Sequence, residues 1–339
     1  MGLGYPAMLL AKRFNLMDIP GSAPHKAHAH PTPLAGGILL AITLVIMSFI
    51  FREWLTREMV VVFAGTMVVF LFGVWDDYKG LSAGPKLIGQ LIAACVLLSF
   101  GVQVHFLTVL FQAWHISPMV AQLLNIVFTL FWVVGITNAM NMIDSMDGIV
   151  AGLGGIAFAC FFAATKLADQ NFLAVWSAAL LGISIGLYFW NNTASKFFLG
   201  DSGTQSIGFL LASLGIMYNP LNRSPESSWI VPIMLLSVPI FDTTLVVLSR
   251  IRRKQAVGSG RRDHTYHRLI ALGFSPRIAV LLTHLVAFII SLLAYLTLYL
   301  PPIAAMVFFL LTILFGLITL LWLERKPSLD NQVEGKNDE

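Results

Sequence analysis

Long apolar runs separated by short polar segments make up most of the chain. Most of these runs reach the ~20 residues that cross a bilayer as a helix. They lie at 34–51, 59–75, 87–111, 119–137, 149–168, 172–190, 205–219, 229–249, 278–299 and 301–323. A further run at 3–11 is too short to span, and we interpret it as the remnant of a first helix that starts upstream of Met1. The pattern predicts an all-α, polytopic membrane bundle of about ten or eleven helices.

The composition points to the same class of protein. Hydrophobic residues make up 57%, charged residues 11%, and the mean hydropathy is +0.81, which excludes an ordinary soluble domain. We predict one domain over 1–323, followed by a polar, disordered tail at 324–339. Cys95 and Cys160 lie inside apolar runs without a metal-binding spacing, and we interpret both as packing residues.

Basic residues concentrate in the loops at one face of the predicted bundle, which is therefore predicted to be cytoplasmic. The net charge of +4 and the pI of about 9.1 reflect this bias and an attraction to anionic lipid, and indicate no nucleic-acid partner. The opposite face is predicted to hold Arg52, Arg57, Lys166 and Arg223, together with the basic residues of the tail.

Aspartates gather at the cytoplasmic face, at or beside the ends of the apolar runs. Carboxylates so close to lipid are costly, and their oxygens are ligands that Mg²⁺ accepts. Their collection on one face predicts an integral membrane enzyme with a metal and phosphate site. They are Asp18, Asp76, Asp77, Asp144, Asp147, Asp201, Asp242 and Asp263.

The first cytoplasmic loop, 18–33, is rich in His and Pro. Its histidines would be compatible with zinc, but no Cys accompanies them and a Pro-rich loop provides no helical face on which they could converge. We predict that Lys26 and His28 bind substrate phosphate. A solvated loop without a binding role is the alternative.

Two further motifs carry carboxylates that suit metal chemistry. Asp76 and Asp77 are adjacent, so they cannot both ionise cheaply, which favours a base or a metal partner. Gly200 allows a tight turn before Asp201, whose carboxylate can bind Mg²⁺, and the amides that open the next helix can hold phosphate oxygens. Phe198 is a candidate platform for a nucleobase, with core packing as the alternative.

Polar residues recur every three positions after the run at 119–137. Asn138, Asn141, Asp144 and Asp147 would lie along one stripe if the segment were helical or 3₁₀. Capping of the next helix would account for Asp147 alone. The stripe therefore predicts a binding site at the membrane surface.

The run at 229–249 contains Pro239 and Asp242, and an acid so placed is expected to face a water-filled cavity. The long basic loop at 250–277 follows, with His264 and His267 inside it. So many cations opposite so many carboxylates imply an anionic, phosphate-bearing substrate between them.

These motifs, in this order over 18–274, resemble the polyprenyl-phosphate N-acetylhexosamine-1-phosphate transferase family, which includes the MraY and WecA/TagO branches. The resemblance implies transfer of a sugar 1-phosphate from a cytosolic UDP-N-acetylhexosamine to undecaprenyl phosphate, with release of UMP. It also implies a requirement for Mg²⁺, with Mn²⁺ as a substitute, and a homodimer in the bacterial inner membrane. The product would initiate a cell-envelope polysaccharide such as lipopolysaccharide or teichoic acid.

Matching the motifs assigns roles to individual residues. Asp76 and Asp77 would assist the lipid phosphate as nucleophile, Asp201 would hold magnesium, and Phe198 would stack on uracil. A two-step path in which an Asp is the nucleophile is the alternative to direct attack by the lipid phosphate. The predicted catalytic residues are Asp76, Asp77, Asp144, Asp147 and His264; the predicted substrate-binding residues are Lys26, His28, Lys86, Asn138, Asn141, Asn192, Phe198, Arg262 and His267; the predicted metal ligands are Asp201 and Asp77.

The first loop resembles the WecA/TagO branch, which favours N-acetylglucosamine as the sugar. The basic loop departs from that branch, because Arg261 and Tyr266 replace its usual Asp and middle His. Phospho-N-acetylmuramoyl-pentapeptide transfer is the alternative branch, although its run of three histidines is missing. A cation-coupled transporter is the alternative of another class, but its acids would be expected near the midplane.

Overall fold

The computed structural model describes residues 1–20, 30–108, 117–193, 195–256 and 263–325. It is almost entirely helical, so the predicted all-α membrane bundle is confirmed. The helices are α1 Gly4–Arg13, α2 Gly36–Ile50, α3 Arg57–Lys79, α4 Ala83–Ser99, α5 Pro118–Met142, α6 Ile149–Leu167, α7 Asn171–Tyr188, α8 Gly200–Met217, α9 Pro225–Ser228, α10 Ile230–Leu235, α11 Ser237–Arg252, α12 Thr265–Ala271, α13 Pro276–Thr297 and α14 Pro302–Glu324. Two short strands, β1 Met17–Asp18 and β2 Thr32–Pro33, pair antiparallel.

Within the described ranges, six helices are long and apolar enough to cross a membrane, or seven if one bent pair counts as a single span. The predicted runs at 34–51 and 87–111 become the shorter helices α2 and α4, of 15 and 17 residues. The run at 229–249 is broken, and its two parts, Pro225–Leu235 and Ser237–Arg252, meet at 66°. Pro239 lacks the N–H that a continuous helix would need there, and its ring would clash with the carbonyl of Leu235.

Helix α8 lies at the centre of the bundle. It packs against α2, α3 and α5, and all its residues from Ser202 to Leu214 are buried. Glycines on its neighbours make this possible, because a Cβ on Gly73 would lie 2.4 Å from the Cα of Ser202 and one on Gly37 would lie 2.2 Å from the Oγ of Ser202. The start of α8 is therefore held by direct contact with the backbones of α2 and α3.

The last helix, α14, ends beside the basic loop, so the prediction that Arg325 lies at the opposite face is wrong; the rest of the tail, 326–339, lies outside the described residues. Arg268 donates to the carbonyl of Leu323 at 2.7 Å and to Glu324 at 3.0 Å. The physical reason is that α14 returns along α13, so it ends at the face where α13 begins, directly after α12. Arg325 thus adds to the positive charge of the face that carries the basic loop.

The two cysteines have different surroundings. Cys160 is buried in α6, as a packing residue should be, whereas Cys95 is exposed on α4. The packing prediction is therefore wrong for Cys95. A residue in an apolar run contacts either protein or lipid. Because the Cys95 side chain is exposed on α4, its neighbour in a membrane is lipid.

Candidate active site

The two short strands bring the ends of the first loop beside the start of α8. The amide of Phe198 donates to the carbonyl of Pro33 at 2.9 Å, and the carbonyl of Phe198 accepts from Ala35 and Gly36, each at 3.2 Å. Phe198 is thereby fixed by its backbone three residues before Asp201, with its ring partly exposed. Lys26 and His28 belong to 21–29 and lie outside the described residues, but the flanks of their loop are anchored next to the site.

Asp77 caps the N-terminus of α8. Its Oδ1 accepts from the amide of Asp201 at 2.7 Å, and its Oδ2 accepts from the amide and the hydroxyl of Ser202 at 3.2 and 2.6 Å. The prediction that these amides hold phosphate oxygens is wrong for Asp201 and Ser202, because a carboxylate from α3 already accepts hydrogen bonds from them. A carboxylate is favoured there by the helix dipole and the unpaired amides.

Lys86 joins the carboxylates of Asp76 and Asp201. Its Nζ contacts Oδ2 of Asp76 and lies 2.6 Å from Oδ2 of Asp201. The second oxygen of Asp76 accepts from the amide of Leu81 at 2.5 Å, where the chain turns between α3 and α4. Two carboxylate oxygens from different helices therefore converge on one cation at the partly exposed mouth of the bundle.

An amide network behind this cluster links three helices. Gln90 exchanges hydrogen bonds of 2.6 and 3.2 Å with Asn138 and donates to Gln205 at 3.0 Å. Asn141 donates to Asp201 at 3.4 Å and accepts from Thr204 at 2.6 Å. Gln90 and Gln205 were missed by the sequence reasoning, although an amide inside an apolar run is itself a signal of a functional site.

The predicted polar stripe is only partly helical, because α5 ends at Met142 and leaves Asp144 and Asp147 in the turn before α6. That turn is fastened to the π-helical turn Phe189–Thr193: Asn191 accepts from the amide of Gly148 at 2.7 Å, and Asn192 donates to the carbonyl of Asp147 at 3.1 Å. The predicted substrate-binding residue Asn192 thus shapes the turn, together with Asn191, which the sequence analysis did not select. π-turns of this kind often occur at functional sites.

Asp144 lies in the field of the other carboxylates. Burial raises the pKa of Asp144 to about 8, and the negative charges of Asp201 and Asp147 add to this shift. Asp144 therefore holds its proton more strongly than a free aspartate does when no metal neutralises Asp201.

His264 and Asp242 form a buried pair in a second polar cluster. His264 Nδ1 lies 2.7 Å from Oδ2 of Asp242, and Oδ1 of Asp242 accepts from the amide of Thr265 at 2.7 Å. Asp242 is 1% exposed, so the expectation that it faces a water-filled cavity is wrong. It lies instead against the start of α12, where the imidazole and the amide compensate for its burial.

Other charged and aromatic residues at the ends of the basic loop hold that loop in place. Arg250 and Asp263 form a buried, bidentate ion pair at 2.8 and 2.9 Å, across the ends of the segment 251–262. Arg268 is fully buried and donates to Ser249 at 2.9 Å. His267 lies 2.8 Å from the hydroxyl of Tyr266, the residue that departs from the family pattern. Arg262, a predicted substrate-binding residue, lies outside the described residues.

The residues fit Mg²⁺ best together with a bound diphosphate. In the part of the chain that the structure describes, no three His, Cys, Asp or Glu side chains form a protein-only metal site. Mg²⁺, however, usually takes one or two carboxylates and completes its shell with water and substrate phosphate. Asp76 and Asp201 supply two such oxygens around the Lys86 ammonium. Asp77 stays a predicted ligand, but both its oxygens already accept hydrogen bonds from α8.

Comparison with known proteins places this arrangement in a family. The model for glycosyl transferase family 4 matches residues 59–219, which include the carboxylate cluster and the amide network but not the second polar cluster. The match therefore spans the elements that hold Asp76, Asp144 and Asp201 in position.

Curated relatives cover more of the chain. A probable undecaprenyl-phosphate N-acetylglucosaminyl 1-phosphate transferase of Bacillus subtilis is 31% identical over 84% of this chain and 78% of that protein. A decaprenyl-phosphate N-acetylglucosaminephosphotransferase of Mycolicibacterium smegmatis is 33% identical over 87% of this chain and 78% of that protein. A phospho-N-acetylmuramoyl-pentapeptide-transferase of Levilactobacillus brevis is 29% identical over 55% of this chain and 61% of that protein.

Proposed function

The chain belongs to glycosyl transferase family 4, and on that premise we propose that it transfers N-acetylglucosamine 1-phosphate from UDP-N-acetylglucosamine to undecaprenyl phosphate, with release of UMP. The observation that carries this proposal is the convergence of Asp76 and Asp201 on one cationic position at the end of a membrane bundle. A diphosphate donor and a phosphate on a membrane-bound acceptor both need a cation between them and the acids. The polyprenyl acceptor agrees with the names of the relatives.

In the proposed reaction an oxygen of the lipid phosphate attacks the β-phosphorus of the donor. A new P–O bond forms to the lipid, the bond between the β-phosphorus and the bridging oxygen breaks, and UMP leaves with that oxygen. Bound Mg²⁺ would neutralise the diphosphate and the charge that develops on the leaving phosphate. Direct attack is favoured over an aspartyl intermediate, because Asp76 and Asp77 are already held by Lys86 and by the amides of α8.

The residues of the chain supply positioning, which is most of what phosphoryl transfer requires. Asp77 fixes the start of α8 and so fixes Asp201, while Asn141 and Gln205 orient its carboxylate. Asp76 and Asp201 would hold the metal. Phe198 would stack on the uracil, and Asp144, in the turn beside Asp201, would contact the donor substrate.

We further propose that the site faces the cytoplasm of a bacterial inner membrane, because the basic loops and the end of α14 share its face. Homodimer formation stays a prediction from the resemblance. The N-acetylmuramoyl-pentapeptide alternative has weaker support, since its relative matches a smaller part of the chain.

The proposal is tested with purified protein in detergent, undecaprenyl phosphate and Mg²⁺. UDP-N-acetylglucosamine is expected to give UMP and lipid-linked product, and chelation of the metal should abolish both. Asp201→Asn is expected to lower the rate by about a hundredfold or more, because one charged stabilising group is lost. Asp169→Asn is the matched control, since Asp169 lies at the opposite face and accepts from Asn222 at 2.9 Å, which an Asn can still do.

Other outcomes would redirect the assignment. Product from UDP-N-acetylmuramoyl-pentapeptide alone would move the chain to the muramoyl branch. Full activity of Asp201→Asn would overturn the metal assignment. No product from any donor, together with no binding of uridine ligands, would favour a transporter.

A further inference from the structure

A cavity lies at the end of the bundle opposite to the carboxylate cluster of the candidate active site. It encloses about 320 Å³ and is lined by the end of α8, the segment after α4, the middle of α5, and α9 with α10. Tyr218, in its wall, follows Asp201 by 17 residues along α8 and its C-cap. At 1.5 Å per residue this places the cavity roughly 25 Å from the candidate active site. The two sites therefore cannot share a ligand group.

Two polar side chains in the cavity wall, Tyr218 and Arg223, each have a buried atom without a hydrogen-bond partner. Tyr218 is 4% exposed, and its hydroxyl is buried without a hydrogen-bond partner. The Nε of Arg223 is likewise buried and unpaired. The guanidinium of Arg223 contacts only neutral groups among the described residues, namely the carbonyl of Leu298 at 3.4 Å and the ring of Tyr299 at 4.7 Å. Tyr218 and Arg223 both line this cavity, and Arg223 also lines the adjoining cavity beside Leu298 and Tyr299. A hydroxyl and a cation that has no carboxylate within ion-pair distance among the described residues suit an anion.

The remaining walls are aromatic and apolar. Phe106 stacks on Trp229 with ring centroids 4.8 Å apart, and the indole N–H of Trp229 already donates to the carbonyl of Glu226. The rings therefore line the cavity with carbon atoms and offer it no free donor. At its rim, Phe128 and Leu221 are 39% and 97% exposed. Aromatic side chains at this depth are typical of the membrane–water interface, where apolar chains and polar headgroups meet.

We propose that this cavity binds the phosphate headgroup of an anionic membrane lipid from the leaflet opposite to the active site. Arg223 and Tyr218 hold the phosphate, and the first part of an acyl chain lies along Phe106 and Trp229 and leaves past Phe128. A free phosphate would bind to the same polar atoms of Arg223 and Tyr218, but it would make no contact with the aromatic walls or the apolar rim. This assignment does not depend on the sugar or the acceptor of the proposed reaction.

The test uses the full-length protein in a neutral detergent. Unfolding temperatures are measured during titration with phosphatidylglycerol, with phosphatidylcholine, or with inorganic phosphate. Phosphatidylglycerol is expected to raise the unfolding temperature of the wild type in a saturable way, and the other two additives should have at least tenfold weaker effects. Arg223→Gln is expected to weaken the apparent affinity for phosphatidylglycerol at least tenfold, and Tyr218→Phe severalfold.

Arg57→Gln is the matched control, because Arg57 is predicted to lie at the same face and also covers an aromatic ring, that of Phe100 at 5.3 Å, outside the cavity. It should titrate like the wild type. Equal affinity of Arg223→Gln and the wild type would overturn the proposal, and an equal response to inorganic phosphate would identify a site for a soluble anion instead. If Arg223→Gln does not fold, Tyr218→Phe decides, because it removes one hydroxyl and keeps the ring; unchanged affinity in that variant would also contradict the proposal.

Discussion

Asp242 illustrates how one carboxylate can set the chemistry of a neighbouring side chain. One of its oxygens accepts the amide that opens α12, and the other lies 2.7 Å from Nδ1 of His264. A carboxylate can only accept a hydrogen bond, so the proton of a neutral His264 has to be on Nδ1, and Nε2 is left as an acceptor. Asp242 is therefore a positioning residue for His264, which is a predicted catalytic residue.

Asp242→Asn is expected to lower kcat at least tenfold while KM and the unfolding temperature change little. The Asn oxygen can still accept from Thr265, but its NH₂ group donates to Nδ1 and moves the imidazole proton to Nε2. The measurement is steady-state kinetics of UMP release together with thermal unfolding. Asp242→Ala is the comparison, since it also removes the cap of α12 and should lower the unfolding temperature. Wild-type kcat in the Asn variant would mean that the tautomer of His264 does not matter.

At this scale, much of the candidate site was predictable from residue types alone. Carboxylates and amides at the ends of apolar runs stand out because lipid disfavours them, and this signal selected Asp76, Asn141 and Asp201. Their hydrogen-bond partners were not predictable. Whether the amides at the start of α8 face a phosphate or Asp77 depends on the distance between two helices that are far apart in sequence.

At the scale of elements, the crossing of α3 and α8 is held by glycine. Gly73→Ala would place a Cβ 2.4 Å from the Cα of Ser202, so the two helices would have to move apart. Overpacking of this kind costs about 1–3 kcal/mol. We expect a lower unfolding temperature and at least a tenfold loss of activity, because Asp77 is carried by α3 and caps α8.

Gly182→Ala on α7 is the matched control for this prediction. No atom outside its own helical surroundings lies within 4 Å of a Cβ at Gly182. Ala also favours helix more than Gly does, so this variant should be as stable as the wild type or slightly more stable. Thermal unfolding and UMP release of both variants check the prediction, and a wild-type profile for Gly73→Ala would show that the crossing tolerates separation.

Periodicity and length predicted the helices well, because a run that crosses lipid has no other way to satisfy its backbone. The breaks were less predictable. The bend between Leu235 and Ser237 depends on how the chain accommodates Pro239, and the strands β1 and β2 are only two residues long. Strands this short are stabilised by their contact with Phe198 rather than by a pattern in their own sequence.

At the scale of the whole molecule, the two ends of the bundle differ in chemistry. The acids, the basic loops and the end of α14 share one end, while the aromatic cavity and Arg223 occupy the other. The proposed orientation of the protein in the membrane can be measured by cysteine labelling. Lys196 and Asn219 are exposed residues at opposite ends of the bundle, and each is replaced by Cys, one at a time, in a protein that lacks Cys95 and Cys160.

A membrane-impermeant maleimide is expected to label Asn219→Cys in intact cells and Lys196→Cys only after the membrane is opened. The reason is the positive charge of the loops around Lys196, which opposes their translocation. Labelling of Lys196→Cys in intact cells would reverse the orientation and move the proposed reaction to the outer face. Labelling of both after permeabilisation is the control for reactivity.

The contact of α2 and α3 with the start of α8 has a consequence for how such a protein can diverge. At Gly73 the backbone of α3 meets the backbone of α8 directly, so the distance between these two helices, which carry Asp77 and Asp201, is not set by a side chain at that crossing. Such a frame offers no side chain that can be exchanged to adjust it by small steps. A change of donor sugar is therefore expected to come from the surrounding loops, because a change at this crossing would move Asp77 and Asp201 together.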